Sequence, residues 1–199
     1  MTSSTSRAPS VIVVTGPSGA GKGTLIREVL ERVPGIGATV SATTRDRRPG
    51  EQDGKEYSFL STEDFLHRVE RGELLEYVTY VSGHRYGTLR SELDRIRSEG
   101  KVPLLELETE GALRVKGEVP GAVTIFISAS VEELERRLRE RATESTGEIG
   151  ERIALARHQL EQADEFDYTV ENDELDRAVE ELTRLVSGLL APAGTMSRP

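Results

Sequence analysis

Val11-Ile12-Val13-Val14 is an unbroken apolar run that stops at a glycine-rich stretch. Such a short run, rich in β-branched residues and bounded by a turn, predicts a strand buried on both faces, as in a parallel sheet. Leu25, Ile26, Val29, Leu30 and Val33 then recur at helical spacing until Pro34-Gly35 stops them. Short strands are expected across Ala38–Thr43 and around Tyr57 and Phe59. Ser61 caps a helix carrying Phe65, Leu66 and Val69. Leu74–Val81 follows as a strand, Ser82-Gly83-His84-Arg85 as a turn, and Leu89–Glu99 as a helix. Val102–Glu108 and Val123–Ile127 are two more buried strands, separated by a short helix near Glu110–Lys116. Ser130 and Glu133 form a capping box for a helix to about Arg141. A loop is expected at Thr143–Gly150, a long helix over roughly Ile149–Glu165, and a strand at Tyr168-Thr169-Val170. Leu175, Ala178, Val179, Leu182, Leu185, Val186, Leu189 and Leu190 then fall on one helical stripe.

This alternation predicts an α/β chain with a parallel sheet between helices, a three-layer core of about 10–39 and 94–190. Segment 40–93 breaks the alternation with extra strands and turns and is expected to form an inserted mixed α+β subdomain. Residues 137–152 are expected to form a lid, and 1–9 and 191–199 disordered tails. The 199 residues carry a net charge of −9, which argues against a general nucleic-acid or anionic-membrane binder. A polyanionic ligand must then meet a local cluster of positive charge. With no cysteine, no disulfide or thiolate site is possible. No run is long enough for a membrane span, and Met1–Ser10 lacks the apolar centre of a signal peptide, so a soluble cytoplasmic protein is expected.

The chemistry concentrates in a few places. Gly16-Pro17-Ser18-Gly19-Ala20-Gly21-Lys22-Gly23-Thr24 joins the first strand to the first helix in the manner of a phosphate-binding P-loop. Its glycines let backbone N–H groups curl around phosphate oxygens, the helix N-terminus adds positive potential, and Lys22 adds a mobile charge. The position after the lysine usually carries Ser or Thr for Mg²⁺; here it is Gly23, and the hydroxyl comes at Thr24. Arg45 and Arg48, with Tyr57 downstream, suit a second phosphate. Arg137 and Arg141 share one helix face and, with Arg152, flank the expected lid loop, where they can neutralise a transferring phosphoryl group. His67, His84 and His158 have no metal-ligand spacing.

Over about Ser10 to Leu190 the chain resembles guanylate kinases. The likeness rests on Gly16–Thr24, Val40–Arg45, Arg48-Pro49-Gly50-Glu51 with Asp53-Gly54, and Tyr57, and further on Leu75-Glu76, Tyr86-Gly87-Thr88, Gly111, Arg137–Glu144 and Asn172-Asp173. The resemblance implies ATP-dependent phosphorylation of GMP, and of dGMP, with Mg²⁺. It places the ATP phosphates on Lys22 and the loop, and the adenine near Asn172. It places the GMP phosphate on Arg45, Arg48, Tyr57 and Tyr86, and guanine on Ser41, Glu76 and Thr88. It brings Arg137, Arg141 and Arg152 to the transferring phosphate. Glu106 and Glu108 stand where the family usually has two Asp, one helping with Mg²⁺ and one with the guanine amino group. Thr24, partly through water, and Glu106 are the implied metal contacts.

The chemistry of base choice agrees with what the resemblance implies. Guanine offers N1–H and N2–H₂ side by side, and one carboxylate, Glu76, can accept both. Ser41 and Thr88 hydroxyls can donate to O6 and N7. Adenine lacks the N1–H donor. The sequence departs from the family also at Arg47, Glu110, His84-Arg85 and Ala142. Two alternatives stay open at this level: a related kinase with a shifted acceptor, and a non-catalytic guanylate-kinase-like module that binds a protein.

Overall fold

The computed structural model describes residues 8–80, 82–141 and 146–191, with the backbone alone at 141 and 146–149. The elements run β1 (Val11–Thr15), α1 (Lys22–Arg32), β2 (Ile36–Ala38), β3 (Ala42–Thr43), β4 (Ser58–Phe59), α2 (Thr62–Glu70), β5 (Leu74–Thr79) and β6 (Arg85–Leu89). They continue with α3 (Arg90–Ser98), β7 (Val102–Glu106), α4 (Thr109–Glu118), β8 (Ala122–Ser128), α5 (Val131–Arg141), α6 (Thr146–Glu161), β9 (Tyr168–Glu171) and α7 (Leu175–Leu190).

One sheet has the order β2-β7-β1-β8-β9 with every pairing parallel. Strand β1 lies at its centre and is buried at every position. Successive side chains point to opposite faces. Ile12 and Val14 pack with Leu25 and Val29 of α1 and Val179 and Leu182 of α7. Val11 and Val13 pack on the other face with Leu93 of α3 and Ala112 and Val115 of α4. This is the expected α/β core with a parallel sheet between two helical layers.

A second, mixed sheet has the order β4-β3-β6-β5. Phe65 of α2 seals it against Ala42, Leu74 and Leu89. The strand expected over Ala38–Thr43 is in fact two: β2 ends in the large sheet and β3 begins in the small one. The apolar pattern runs through the junction because both halves are packed. At the junction the Thr39 N–H reaches Leu104 O (3.0 Å) and the Val40 N–H reaches Glu92 Oε2 (2.9 Å).

Two further boundaries differ. Residues 146–150, expected in a loop, begin α6, which ends at Glu161 and gives way to a 3₁₀ turn at Ala163–Glu165. Glu148, Ile149 and Glu151 accept helix, and the glycines at 147 and 150 do not stop it. Phe166 then stacks on Phe126, with ring centres 5.2 Å apart, which pins the turn under the sheet. The expected tails, apart from 8, 9 and 191, and part of the expected lid loop, 142–145, lie outside the described residues.

The glycine-rich loop is seated directly on the sheet. Gly16 has φ +138°, and a Cβ there would lie 2.2 Å from the Ile127 carbonyl oxygen of β8. Backbone cannot yield as a flexible side chain can. Gly16→Ala is therefore expected to cost about 2 kcal/mol or more, read as a lower urea midpoint with unchanged m-value. An unchanged midpoint would refute the tight seating.

Candidate active site

In a parallel sheet ligands gather beyond the carboxyl ends of the strands, at the point where strand order reverses. That point here is between β1 and β7. Val14 is in register with Glu106, and the Leu107 N–H donates to Val14 O at 3.1 Å. The glycine-rich loop and Glu106 thus leave the sheet side by side. A Cβ on Gly23 would lie 3.9 Å from Glu106 Oε2. Lys22, the first residue of α1, curls over the loop and donates to Gly16 O (2.7 Å) and Pro17 O (3.2 Å). The N–H groups of Ser18, Gly19, Gly21, Lys22 and Gly23 donate to no acceptor among the described residues. Together with the helix N-terminus they form an anion-attracting surface.

Glu106 is open to the cleft, yet the cleft walls desolvate it and raise its pKa; nearby Lys22 pulls the other way and Glu108 adds to the rise. Its carboxylate and the Thr24 hydroxyl are hard oxygen donors of the kind Mg²⁺ takes. Among the described residues no group of three or more His, Cys, Asp or Glu forms a metal cage.

A cleft of about 770 Å³ runs from this end of the large sheet to the small one. Lys22, Glu106 and Glu108 line one side, and Ser41, Arg45, Arg48, Tyr57, Glu76 and Tyr86 the other. Of the residues expected to hold a nucleoside monophosphate, Thr88 alone is absent from the lining. It is fully buried behind Glu76 and donates its hydroxyl proton to Glu76 Oε1 at 2.8 Å. In this arrangement Thr88 orients the carboxylate instead of presenting a donor to the cleft. Glu76 is 6% exposed. Burial raises its pKa, and the Thr88 hydrogen bonds and the Arg114 charge only partly offset that rise.

At the other end Arg45 is held in a fork. Its Nη1 and Nη2 donate to Glu51 Oε2 (3.0 Å) and Oε1 (2.8 Å), and its guanidinium lies 5.3 Å from the Tyr57 ring centre. Glu51 Oε2 also accepts the Arg48 N–H at 2.8 Å. Arg45 holds the Glu51 carboxyl below its ordinary range. Tyr57, Tyr86 and Tyr80 form an edge-to-face series, with ring centres 5.9 Å apart in the first pair and 5.2 Å in the second. The Tyr80 hydroxyl donates to Glu108 Oε1 at 3.3 Å, joining the small sheet to the N-terminus of α4.

Of the expected lid arginines, Arg137 and Arg152 are not among the residues that line the cleft. Arg137 is tied to Glu133 Oε1 (2.6 Å) and donates to Asn172 O (2.8 Å) and Gly19 O (3.4 Å). Arg152 lies on an exposed part of α6. Arg141 ends α5, and its side chain lies outside what is described. Ser130 and Glu133 make half of the expected capping box. Ser130 Oγ accepts the Glu133 N–H at 3.3 Å, but the Glu133 carboxylate turns to Arg136 and Arg137. Those contacts, Arg136 foremost, hold its pKa down at about 2. The Ser130 N–H is taken by Asp173 Oδ1 instead (2.7 Å). Asn172 is buried, and its Nδ2 donates to Ala20 O at 2.7 Å.

Glu51, Tyr80 and Arg114 carry parts of this site that the sequence reading did not assign. Glu51 stands beside Arg48 in the turn-rich segment, but nothing in its spacing points to Arg45. Arg114 lies one helical turn after Gly111 and lines the same cleft.

The family model for guanylate kinase matches residues 8–189. A guanylate kinase of Synechococcus is 46% identical over 177 residues, 88% of this chain and 81% of that protein. One of Rubrobacter xylanophilus is 45% identical over 186 residues, 93% of this chain and 97% of that protein. The crystal structure of guanylate kinase from Anaplasma phagocytophilum superimposes with a TM-score of 0.70 at 28% identity, covering 92% of this chain and 87% of that one.

Burial of Glu76 makes a prediction about stability. Its folded pKa lies above the ordinary 4.5, so the folded state binds the proton more tightly than the unfolded chain. Stability from this group therefore falls as pH rises from below 4.5 through the raised value. Glu76→Gln, which still accepts from Thr88, is expected to unfold at a higher temperature than the parent at pH 7, with the gap closing below pH 4.5. A gap that widens on acidification would contradict the assignment.

Proposed function

This chain belongs to the guanylate kinase family and phosphorylates GMP at the expense of ATP, and we propose that it does so by in-line transfer between two phosphates clamped at opposite ends of the cleft described above. The reading is carried by one observation: a buried carboxylate, Glu76, and an arginine–tyrosine cluster, Arg45, Arg48, Tyr57 and Tyr86, line a single cleft that also reaches Lys22.

The guanine of GMP is assigned to Glu76, with Ser41 beside it, Thr88 holding the carboxylate, and Glu108 near the exocyclic amino group. The acceptor phosphate is assigned to Arg45, Arg48, Tyr57 and Tyr86. None of these contacts involves the ribose 2′-hydroxyl, so dGMP is expected to serve as well. The P-loop Gly16–Thr24 is assigned to the donor phosphates. Lys22 has three N–H donors and can shift one of them from loop carbonyls to phosphate oxygens. Arg137, Arg141 and Arg152 are assigned to the charge that develops on the transferring group. Glu106 and Thr24 would hold Mg²⁺, which when bound with ATP screens phosphate charge and orients the chain. No general base is required, because the acceptor phosphate is already anionic. Catalysis is then mostly positioning and neutralisation of charge, helped by exclusion of water on closure.

Among the described residues no helix is long and apolar enough to cross a membrane. A cytoplasmic setting belongs to this reading, since a cysteine-free chain needs no oxidising compartment. An ADP-release assay against GMP, dGMP, AMP, UMP and CMP tests the acceptor site. GMP and dGMP are expected to lead, and AMP to trail by at least about tenfold, because adenine lacks the N1–H donor and leaves Glu76 partly unpaired. AMP equal to GMP would overturn the role of Glu76.

Glu51 supplies a second test. It closes the segment from Arg45 to Glu51, holding the Arg45 guanidinium and the Arg48 backbone N–H at once. Glu51→Gln is expected to raise KM for GMP about tenfold and leave KM for ATP unchanged. A fall in KM for GMP would show that Glu51 screens Arg45 instead of orienting it.

A further inference from the structure

We propose that Asn172, the residue that follows β9, is a positioning residue that sets the shape of the phosphate-binding loop through its side chain. The inference rests on the loop holding the donor phosphates.

Asn172 is 2% exposed. Its Nδ2 donates to Ala20 O at 2.7 Å, 152 residues away in the chain. In a trans peptide the C=O and the following N–H point in opposite directions. A carbonyl of Ala20 turned toward Asn172 therefore turns the Gly21 N–H the other way, toward the concave side of the loop. That N–H has no acceptor among the described residues. Gly21 has φ +83°, and a Cβ on it would lie 2.5 Å from Asn172 Nδ2. The amide fills the place of a side chain at Gly21, so the two positions fit only each other. The backbone of Asn172 adds a second tie. Its carbonyl accepts from Arg137 Nη2 at 2.8 Å, while Arg137 Nη1 reaches Gly19 O at 3.4 Å. Two adjacent loop carbonyls, Gly19 and Ala20, are thus held from outside the loop. Among the described residues Asn172 Oδ1 has no partner, so the tie to the loop is made by Nδ2 alone.

The test separates phosphate from base. Titration calorimetry of ATP and of inorganic tripolyphosphate is run on the parent, Asn172→Ala and the isosteric Asn172→Asp. Loss of this hydrogen bond is expected to weaken both ligands by the same factor, about tenfold, with Asp at least as damaging as Ala because its carboxylate faces the Ala20 carbonyl. Weakening of ATP alone would mean a base contact and overturn the inference. Unchanged affinity for both in a folded variant would also overturn it. If the variants do not fold, the parent still decides. Its Gly21 amide resonance must move downfield on adding tripolyphosphate, and a resonance that stays put refutes the inference. Failure of the underlying reading looks different, since the parent would then bind neither ligand.

Discussion

Strand β1 is buried on both faces and paired on both edges, so the chain that leaves it at Thr15 can only emerge at the carboxyl end of the sheet. Everything chemical depends on that constraint. The parallel register with β7 sets Val14 beside Glu106, and the loop lands between the end of β7 and the backbone of β8. Apolar burial thus determines where a polar loop and a carboxylate meet. The stiff sheet also explains why a loop of small residues is positioned at all, since its first glycine rests on an unyielding carbonyl.

Charge is organised on the same plan. The molecule is acidic, and a bare cluster of arginines would repel itself before a phosphate arrived. Arg45 is instead held by Glu51, and Arg137 by Glu133. Each carboxylate fixes a guanidinium direction and lowers the local positive potential. Both ion pairs are largely covered, with side-chain exposures of 11% and 17% for Arg45 and Glu51 and 19% each for Arg137 and Glu133, so the cost of desolvation offsets much of their attraction. Their value lies in geometry: fewer rotamers remain to be frozen when a phosphate binds.

The strand–loop–helix unit, the buried strands and the final amphipathic helix were readable because period and burial leave direct marks in sequence. The split at Thr39–Ser41 was not, because one apolar pattern served two sheets. The arginine and tyrosine set was found through residue chemistry together with a family likeness, whereas Glu51 was missed because the Arg45 fork depends on a turn, not on any helical or strand period. Thr88 was expected to face the ligand, and its side chain instead lies behind Glu76, since alternation along β6 says which face a residue takes and not which neighbour it meets. The capping box failed by half because Arg136 and Arg137, one turn further on, compete for Glu133 more strongly than a single N–H does.

The exchange of Asp for Glu at 106 and 108 reads differently once the cleft is seen. Each carboxylate reaches out by one more methylene, and Glu108 uses that reach to meet the hydroxyl of Tyr80 across the cleft. Tyr80 comes from the end of β5, just before the turn that differs from the family pattern. A longer carboxylate and an altered turn therefore meet at one contact and join the two sheets at the edge of the acceptor site. For Glu108 to reach a guanine amino group, it must share its oxygens between that donor and Tyr80. A carboxylate has lone pairs enough for both. The departure thus bears on how the cleft is held at its rim, apart from the buried Glu76.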